Sequence, residues 1–451
     1  MNTKNNIIIL LIFSIFWQTD LISQEVKMFS LKEAQTYALE NSYDVINAKT
    51  DIEIAHKKVK ETTAIGLPQI SGSIGYQNNI EIPTQLIPGE FFGGQPGEFA
   101  EIQFGTQHNG SYSAQVNQIL FNGQYIVGLM ASKAYLSLSE TGLLKTEIEV
   151  NNAIAKAYYP VIILEENKVV FDSTLASMKR MLYETNEYYK SGFLEDLDVD
   201  QLELLVSDME TTITNLNSQL ELGYAMLKFA MGINANEEIG VTDNYNDLLA
   251  EIDREFLLDS PFDYNQNIDY LMLKNEEVIA MLNLKLKKSE YLPNLNAFYN
   301  YQGNAMRDDF DFYDFDRKWY SSQMLGVQLD IPIFSSGIRS GRVQQAKLEL
   351  EKIKVRDNQL QQKLALEVNT ARSLFNNAYL VYQNRNKSFH QAERIYQKTE
   401  IKYSGGLSTS LELSQTYNQY LETQISFLGS IQEVLNRKAD LDKILTRTIN
   451  K

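Results

Sequence analysis

Few side chains in this sequence are placed to do chemistry, and the ones that recur are acids. Asp198 follows Tyr189-Lys190-Ser191-Gly192 and Glu412 follows Tyr403-Ser404-Gly405-Gly406, in motifs 214 residues apart (403 − 189). Each acid stands six residues after the last glycine of its motif. A first-turn acid is favoured by the helix macrodipole, so this placement is electrostatic and makes no acid–base pair. His56, His108 and His390 are scattered, with no partner at metal-ligand spacing, and read as ordinary surface or packing residues. The run Asp308-Asp309-Phe310-Asp311-Phe312-Tyr313-Asp314 lacks the glycine and terminal glutamate of an EF-hand. It reads as a solvated outer loop with interfacial aromatics. There is no Ser/His/Asp set in context and no phosphate loop. Cysteine is absent, which excludes disulfides, an N-terminal lipidated cysteine, cysteine-bound metal and thiol catalysis. No catalytic residue, metal or cofactor is implied, and a net charge of −17 argues against a nucleic-acid partner.

The elements that position the two acids come in two copies. Leu67-Pro68-Gln69-Ile70 opens an alternating stretch, and Leu292-Pro293-Asn294-Leu295 opens another 225 residues later (292 − 67). A repeat this long is one unit built twice. In the first stretch Ile70, Gly72, Ile74 and Tyr76 alternate with Gln69, Ser71, Ser73 and Gln77. Tyr112, Ala114 and Val116 alternate with Ser111, Ser113, Gln115 and Asn117 in a second. Leu295, Ala297, Tyr299 and Tyr301 mark a third, and Leu325, Val327, Leu329, Ile331 and Ile333 a fourth. Period-two alternation predicts strands with one apolar face, and about ten residues is the length of a tilted membrane-spanning strand. A soluble sheet also alternates, but these polar faces carry mostly Ser, Gln and Asn, with Gln328 and Asp330 on the fourth strand, which suits a water-filled lumen. Two copies of four strands would give a barrel filled by side chains; three copies give about twelve strands and a pore, so a trimer is expected.

Turn clusters are missing between Gly123 and Ser191 and between Gly337 and Gly405, and Pro160 is the one proline there, expected to kink its helix. Leu360, Leu364, Val368, Ala371, Phe375, Ala378 and Tyr382 form a narrow helical stripe, nearer a coiled-coil seam than a broad core face. About 65 residues at 1.5 Å rise make a helix approaching 100 Å, a rod that a tall hollow cylinder needs and a compact domain does not. Glycine stops a helix, so Gly192 and Gly405-Gly406 mark hairpin tips. Return helices follow, over about 197–231 and 411–445. At the start, Lys4 and the apolar run Ile7 to Trp17 read as a secretory signal, with cleavage expected after Ser23. The expected organisation is a signal at 1–23, a first repeat at 24–231 (strands about 67–78 and 109–121) and a connecting segment at 232–263. A second repeat fills 264–451, with strands at about 292–302 and 323–334.

In this order (signal, Ser30-Leu31-Lys32-Glu33-Ala34 helix, Leu-Pro strand opening, hairpin, glycine tip, return helix, then the repeat) the chain resembles the TolC-like outer-membrane efflux channels of Gram-negative bacteria. The resemblance covers essentially the whole mature chain. It implies a mainly α protein with a membrane β-barrel: a trimeric twelve-stranded barrel continued by a long α-helical periplasmic barrel, with four strands and two long hairpins per protomer. It implies a passive, non-enzymatic exit duct of a tripartite efflux or type I secretion system, in the outer membrane and gated at the periplasmic tips. The implied partners are two further copies, outer-membrane lipid, a periplasmic adaptor and, through it, an inner-membrane pump or ABC transporter. The implied gate residues are Asp198, Tyr403 and Glu412, with an Asp198–Tyr403 hydrogen bond holding the entrance closed. Ser408 stands where an arginine is common, and Gln415 replaces a further acid. The implied adaptor-docking residues are Gly192, Leu197, Gly405, Gly406 and Leu411.

Two other classes compete. A periplasmic adaptor also has a long helical hairpin, but one hairpin between small β-domains and not a duplicated hairpin with lumen-polar strands. A structural outer-membrane protein without a transport role is the other. An enzyme is disfavoured by the missing constellation.

Overall fold

The computed structural model describes residues 26–314 and 316–445. The signal-peptide reading and its cleavage site lie outside the described residues. In chain order the elements are β1 (Lys27–Phe29), α1 (Leu31–Asn41), α2 (Tyr43–Ile65), β2 (Gln69–Asn78), β3 (Thr84–Pro88), β4 (Phe99–Gln103) and β5 (His108–Phe121). Then come α3 (Gly123–Lys190), α4 (Asp196–Met231), β6 (Ile239–Val241), α5 (Tyr245–Ala250), α6 (Arg254–Asp259) and α7 (Ile268–Ser289). β7 (Asn294–Arg307), β8 (Tyr320–Asp330), α8 (Ile338–Ser404) and α9 (Ser410–Ile444) complete it. The chain divides into two units, one made of residues up to Lys49, Gly142–Tyr270 and Leu360 onward, the other of Thr50–Thr141 and Leu271–Gln359.

The second unit is organised by strand parity. β2, β5, β7 and β8 form one four-stranded sheet in that order, antiparallel throughout. Register places Ile70 opposite Val116, Val116 opposite Tyr299 and Tyr299 opposite Leu325, so the apolar residues of all four strands share a face. Away from its loop end, where Gly110 and Ala305 are covered, that face is bare in the protomer: Ile74 is 91% and Leu325 80% exposed. Burial of such side chains is worth about 1.5–3 kcal/mol each, and a contiguous bare apolar face of this kind calls for lipid or a partner. No helix among the described residues is long and apolar enough to cross a membrane.

The two copies end their strands differently. β8 stops at Asp330, four residues short of the expected Phe334, because Pro332 has no N–H to give a ladder. Its counterpart β5 has no proline there and runs to Phe121, with a register shift between Ile119 and Phe121. The acidic loop is largely exposed, with Asp308, Asp309, Phe310 and Tyr313 in solvent, but Asp311 is buried. It folds back on the sheet: buried Arg307 donates to the Asp311 carboxylate at 2.8 Å and to its carbonyl at 2.7 Å, Arg317 also pairs with Asp311, and the Arg307 guanidinium lies 5.2 Å from the Phe312 ring centre. Arg307 above all, by hydrogen bond and charge, holds the Asp311 carboxyl below its ordinary value. Phe312 and Trp319 cover Gly110, where a Cβ would come within 2.7 Å of the Phe312 ring. The long loop at 79–107 also holds a short hairpin, β3 with β4, which its Gly/Pro-rich composition hides.

The first unit is helical. α3 is one 68-residue helix that runs unbroken through Pro160, and α8 has 67 residues. Leu364, Val368, Ala371, Phe375 and Ala378 are all buried, so the narrow stripe read from sequence is the packed seam. Further along, Tyr382, Phe389 and Tyr396 recur every seven residues on α8 and meet Phe427 and Tyr420 of α9, the Phe389–Phe427 rings stacked at 5.0 Å. Seven-residue spacing keeps side chains on one seam, and stacked rings add about 0.5–1.5 kcal/mol each beyond their area. The N-terminal segment is tied in by β1, which pairs in parallel with β6 of the connecting segment. The Tyr158 hydroxyl donates to the Phe29 carbonyl at 2.9 Å beside it. Ser30 and Glu33 form the expected capping box on α1, but the first helix ends at Asn41, and α2 begins after Ser42.

Candidate functional site at the helical tips

Two matched turns join the long helices. After α3, Gly192 has φ +78°, and its N–H donates to Tyr189 O at 2.9 Å while Phe193 N–H donates to Tyr188 O at 3.0 Å. After α8, Gly406 has φ +70°, with Gly406 N–H to Tyr403 O at 2.9 Å and Leu407 N–H to Lys402 O at 2.8 Å. Both are Schellman stops, which need a left-handed residue just past the helix. Gly405 is not at positive φ, so Gly406 alone carries the turn. A Cβ at Gly406 meets nothing within 4 Å, so Gly406→Ala isolates backbone strain. It is expected to lower stability by about 1 kcal/mol, read by denaturant unfolding in detergent; an unchanged midpoint would contradict the assignment.

The predicted residues fall into two polar links and two apolar steps. Asp198 is the third residue of α4, and accepts from the Glu195 backbone N–H at 3.3 Å. Its other oxygen accepts from the Ser410 hydroxyl at 2.5 Å, at the start of α9. Tyr403 hydrogen-bonds Thr185 of α3 through its hydroxyl, at 3.0 Å. Asp198 and Tyr403 are thus given different partners, and no direct bond joins them. They are still close enough to interact: burial first, then the nearby Asp198 charge, push the Tyr403 hydroxyl above its ordinary pKa, against the opposing Thr185 hydrogen bond. Higher up, Ser177 of α3 donates to Glu400 of α8 at 2.9 Å. These three polar links tie the first hairpin to the second near the turns.

Glu412 stays within its own turn. It accepts from the Ser408 hydroxyl at 2.5 Å, and its N–H donates to the Thr409 side chain at 3.2 Å. Ser408, standing where the family resemblance places an arginine, supplies a neutral donor to Glu412. Gln415 is exposed on α9. Leu197 and Leu411 are 56% and 55% exposed. Phe193 and Leu407, which the sequence reading passed over, are more exposed still, at 78% and 81%, and hold equivalent places in the two turns. Thr185, Ser177, Glu400 and Ser410 were also missed. Thr409-Ser410-Leu411-Glu412 has the spacing of a capping box, a signal that points to the helix start but not to Ser410's distant partner. Beneath the turns, Leu202, Leu205, Met209, Leu413 and Tyr417 form a buried core on which Tyr403 packs. Among the described residues no group of acids or histidines could hold a metal.

A bare apolar sheet face, a lumen-polar opposite face and two long hairpins with matched tips define a membrane-channel fold. Residues 280–447 match the outer membrane efflux protein family. The outer membrane protein TolC of Vibrio cholerae is 22% identical over 336 residues, 72% of this chain and 69% of that protein. Among solved structures, the outer membrane protein VceC from Vibrio cholerae aligns with a TM-score of 0.67 at 15% identity, over 92% of this chain and 95% of its own. The CmeC outer membrane channel of Campylobacter jejuni aligns with 0.68 at 17%, over 93% and 88%. Residues 280–447 thus resemble the outer membrane efflux protein family, and the chain as a whole has the fold of these outer-membrane channels. The relative and the solved structures it matches are outer-membrane proteins and channels, and the chain shares their fold over nearly its whole length.

Proposed function

We propose that three copies of this chain form the exit duct of a tripartite efflux or type I secretion system, closed at rest by the hairpin tips. The two repeats, 24–231 and 264–451, each contribute two strands and one hairpin to the wall, with 232–263 between them. The observation that carries this is the sheet: one face apolar and bare, the other polar and almost free of charge, with β2 and β8 left as free edges. A membrane cannot tolerate free edges, so β8 of one copy pairs with β2 of the next, and three copies close twelve strands around water. A periplasmic adaptor seats on the apolar steps Phe193, Leu197, Leu407 and Leu411, and an inner-membrane pump or ABC transporter drives cargo through it. A trimeric mass in detergent and stepwise currents in planar bilayers are expected of the purified chain. A monomer that conducts nothing would overturn the reading.

A further inference from the structure

We propose that Asp330 sets the charge preference of the barrel section. The proposal rests on the trimeric pore reading above. The polar face of the sheet can be read strand by strand from its register. On β2 it carries Gln69, Ser71, Ser73, Gly75 and Gln77, and on β5 Asn109, Ser111, Ser113, Gln115 and Asn117. On β7 it carries Asn294, Asn296, Phe298, Asn300, Gln302, Asn304 and Met306, and on β8 Tyr320, Ser322, Met324, Gly326, Gln328 and Asp330. Across these four strands one ionisable acid or base stands on that face, Asp330.

Amides and hydroxyls satisfy one another along the wall. Ser73 bonds Ser113 at 2.8 Å, Gln115 donates to Asn117 at 3.1 Å, and Gln302 donates to Asn304 at 2.9 Å. Such a wall has no net field and does not sort cargo by charge. Asp330 is different. Its carboxylate lies along the same face, accepting from the Gln328 amide at 2.9 Å. It is exposed, and no cation among the described residues pairs with it. The next cations along the chain are engaged elsewhere: Arg339 donates to the Pro332 carbonyl, and Arg342 pairs with Glu290. In a closed barrel, threefold repetition turns one uncompensated carboxylate into a ring of negative charge at the helix-proximal end of a neutral tube. Rings of acids in a narrow lumen concentrate cations and exclude anions.

Reversal potentials in a KCl gradient across planar bilayers test this, with the full-length chain and with an Asp198→Asn/Glu412→Gln background that removes the tip acids. In that background, Asp330→Asn is expected to lower the K⁺ over Cl⁻ permeability ratio at least about twofold. Asn300→Asp, a new acid on the same face, is expected to raise it. An unchanged ratio in Asp330→Asn with normal currents would overturn the proposal and leave the pore standing. A wild-type chain without currents would overturn the pore, and this inference with it.

Discussion

Asp198→Ala combined with Ser410→Ala is expected to raise the open probability of the reconstituted channel about tenfold per protomer link lost, seen as larger mean current in planar bilayers. The basis is the bond that joins the starts of α4 and α9, the Ser410 hydroxyl on the Asp198 carboxylate. A hydrogen bond to a charged acceptor contributes about 1.5–3 kcal/mol, and 1.4 kcal/mol is a factor of ten in an equilibrium. Breaking it in three protomers removes the cross-hairpin tie nearest the turns. Tyr403→Phe removes the second tie, to Thr185, and should act in the same direction with a smaller effect, because the ring stays packed on the core beneath. In the proposed trimer the tip acids of the three copies would repel one another, so each tie lost is expected to shift the balance towards opening. Unchanged currents in both variants would remove the gate role from these residues.

Phe193→Asp combined with Leu407→Asp is expected to abolish efflux in cells while leaving the trimer intact. These two side chains are bare, at 78% and 81% exposure, and stand at equivalent places in the two turns. Nothing in the protomer gains from exposing a phenylalanine at the end of a hairpin, whereas an apolar anchor seated in a partner's pocket is what dominates interface energies. A buried, unpaired carboxylate at such a place costs several kcal/mol, enough to empty a micromolar interface. Drug susceptibility or substrate export reads the outcome in a host that relies on this channel, with trimer abundance in the outer membrane measured alongside. Retained efflux at normal abundance would place the docking surface elsewhere. Because the substituted residues are exposed, the fold has no reason to fail with them.

Much of the architecture was legible because it is periodic. The alternation of Ile70, Ile74 and Tyr76 with Gln69, Ser71 and Ser73 reports a strand from a few neighbouring residues, and the seam from Leu364 to Ala378 reports a helix in the same way. Glycine stops are as local: Gly192 and Gly406 take positive φ where the helices end. The misreadings share a physical cause too. The loop after β7 is acidic and mostly exposed, yet Asp311 within it is buried between Arg307 at the strand end and Arg317. Composition counts charges but does not say which are paired. The strand end at Asp330 was overrun because Ile331 and Ile333 keep the alternation, while Pro332 withholds the N–H that pairing needs.

By itself the sequence determined the faces of the four long strands, the helical seams and the two turns, since each depends on residues within a turn or a strand of one another. Tertiary structure alone decided who meets whom across the chain. Asp198 finds Ser410 and Tyr403 finds Thr185, partners more than 200 residues apart. A resemblance had paired Asp198 with Tyr403. Hydrogen bonds reach about 3 Å and depend on angle, so a small difference in how two hairpins pack changes the partner while leaving every local pattern intact.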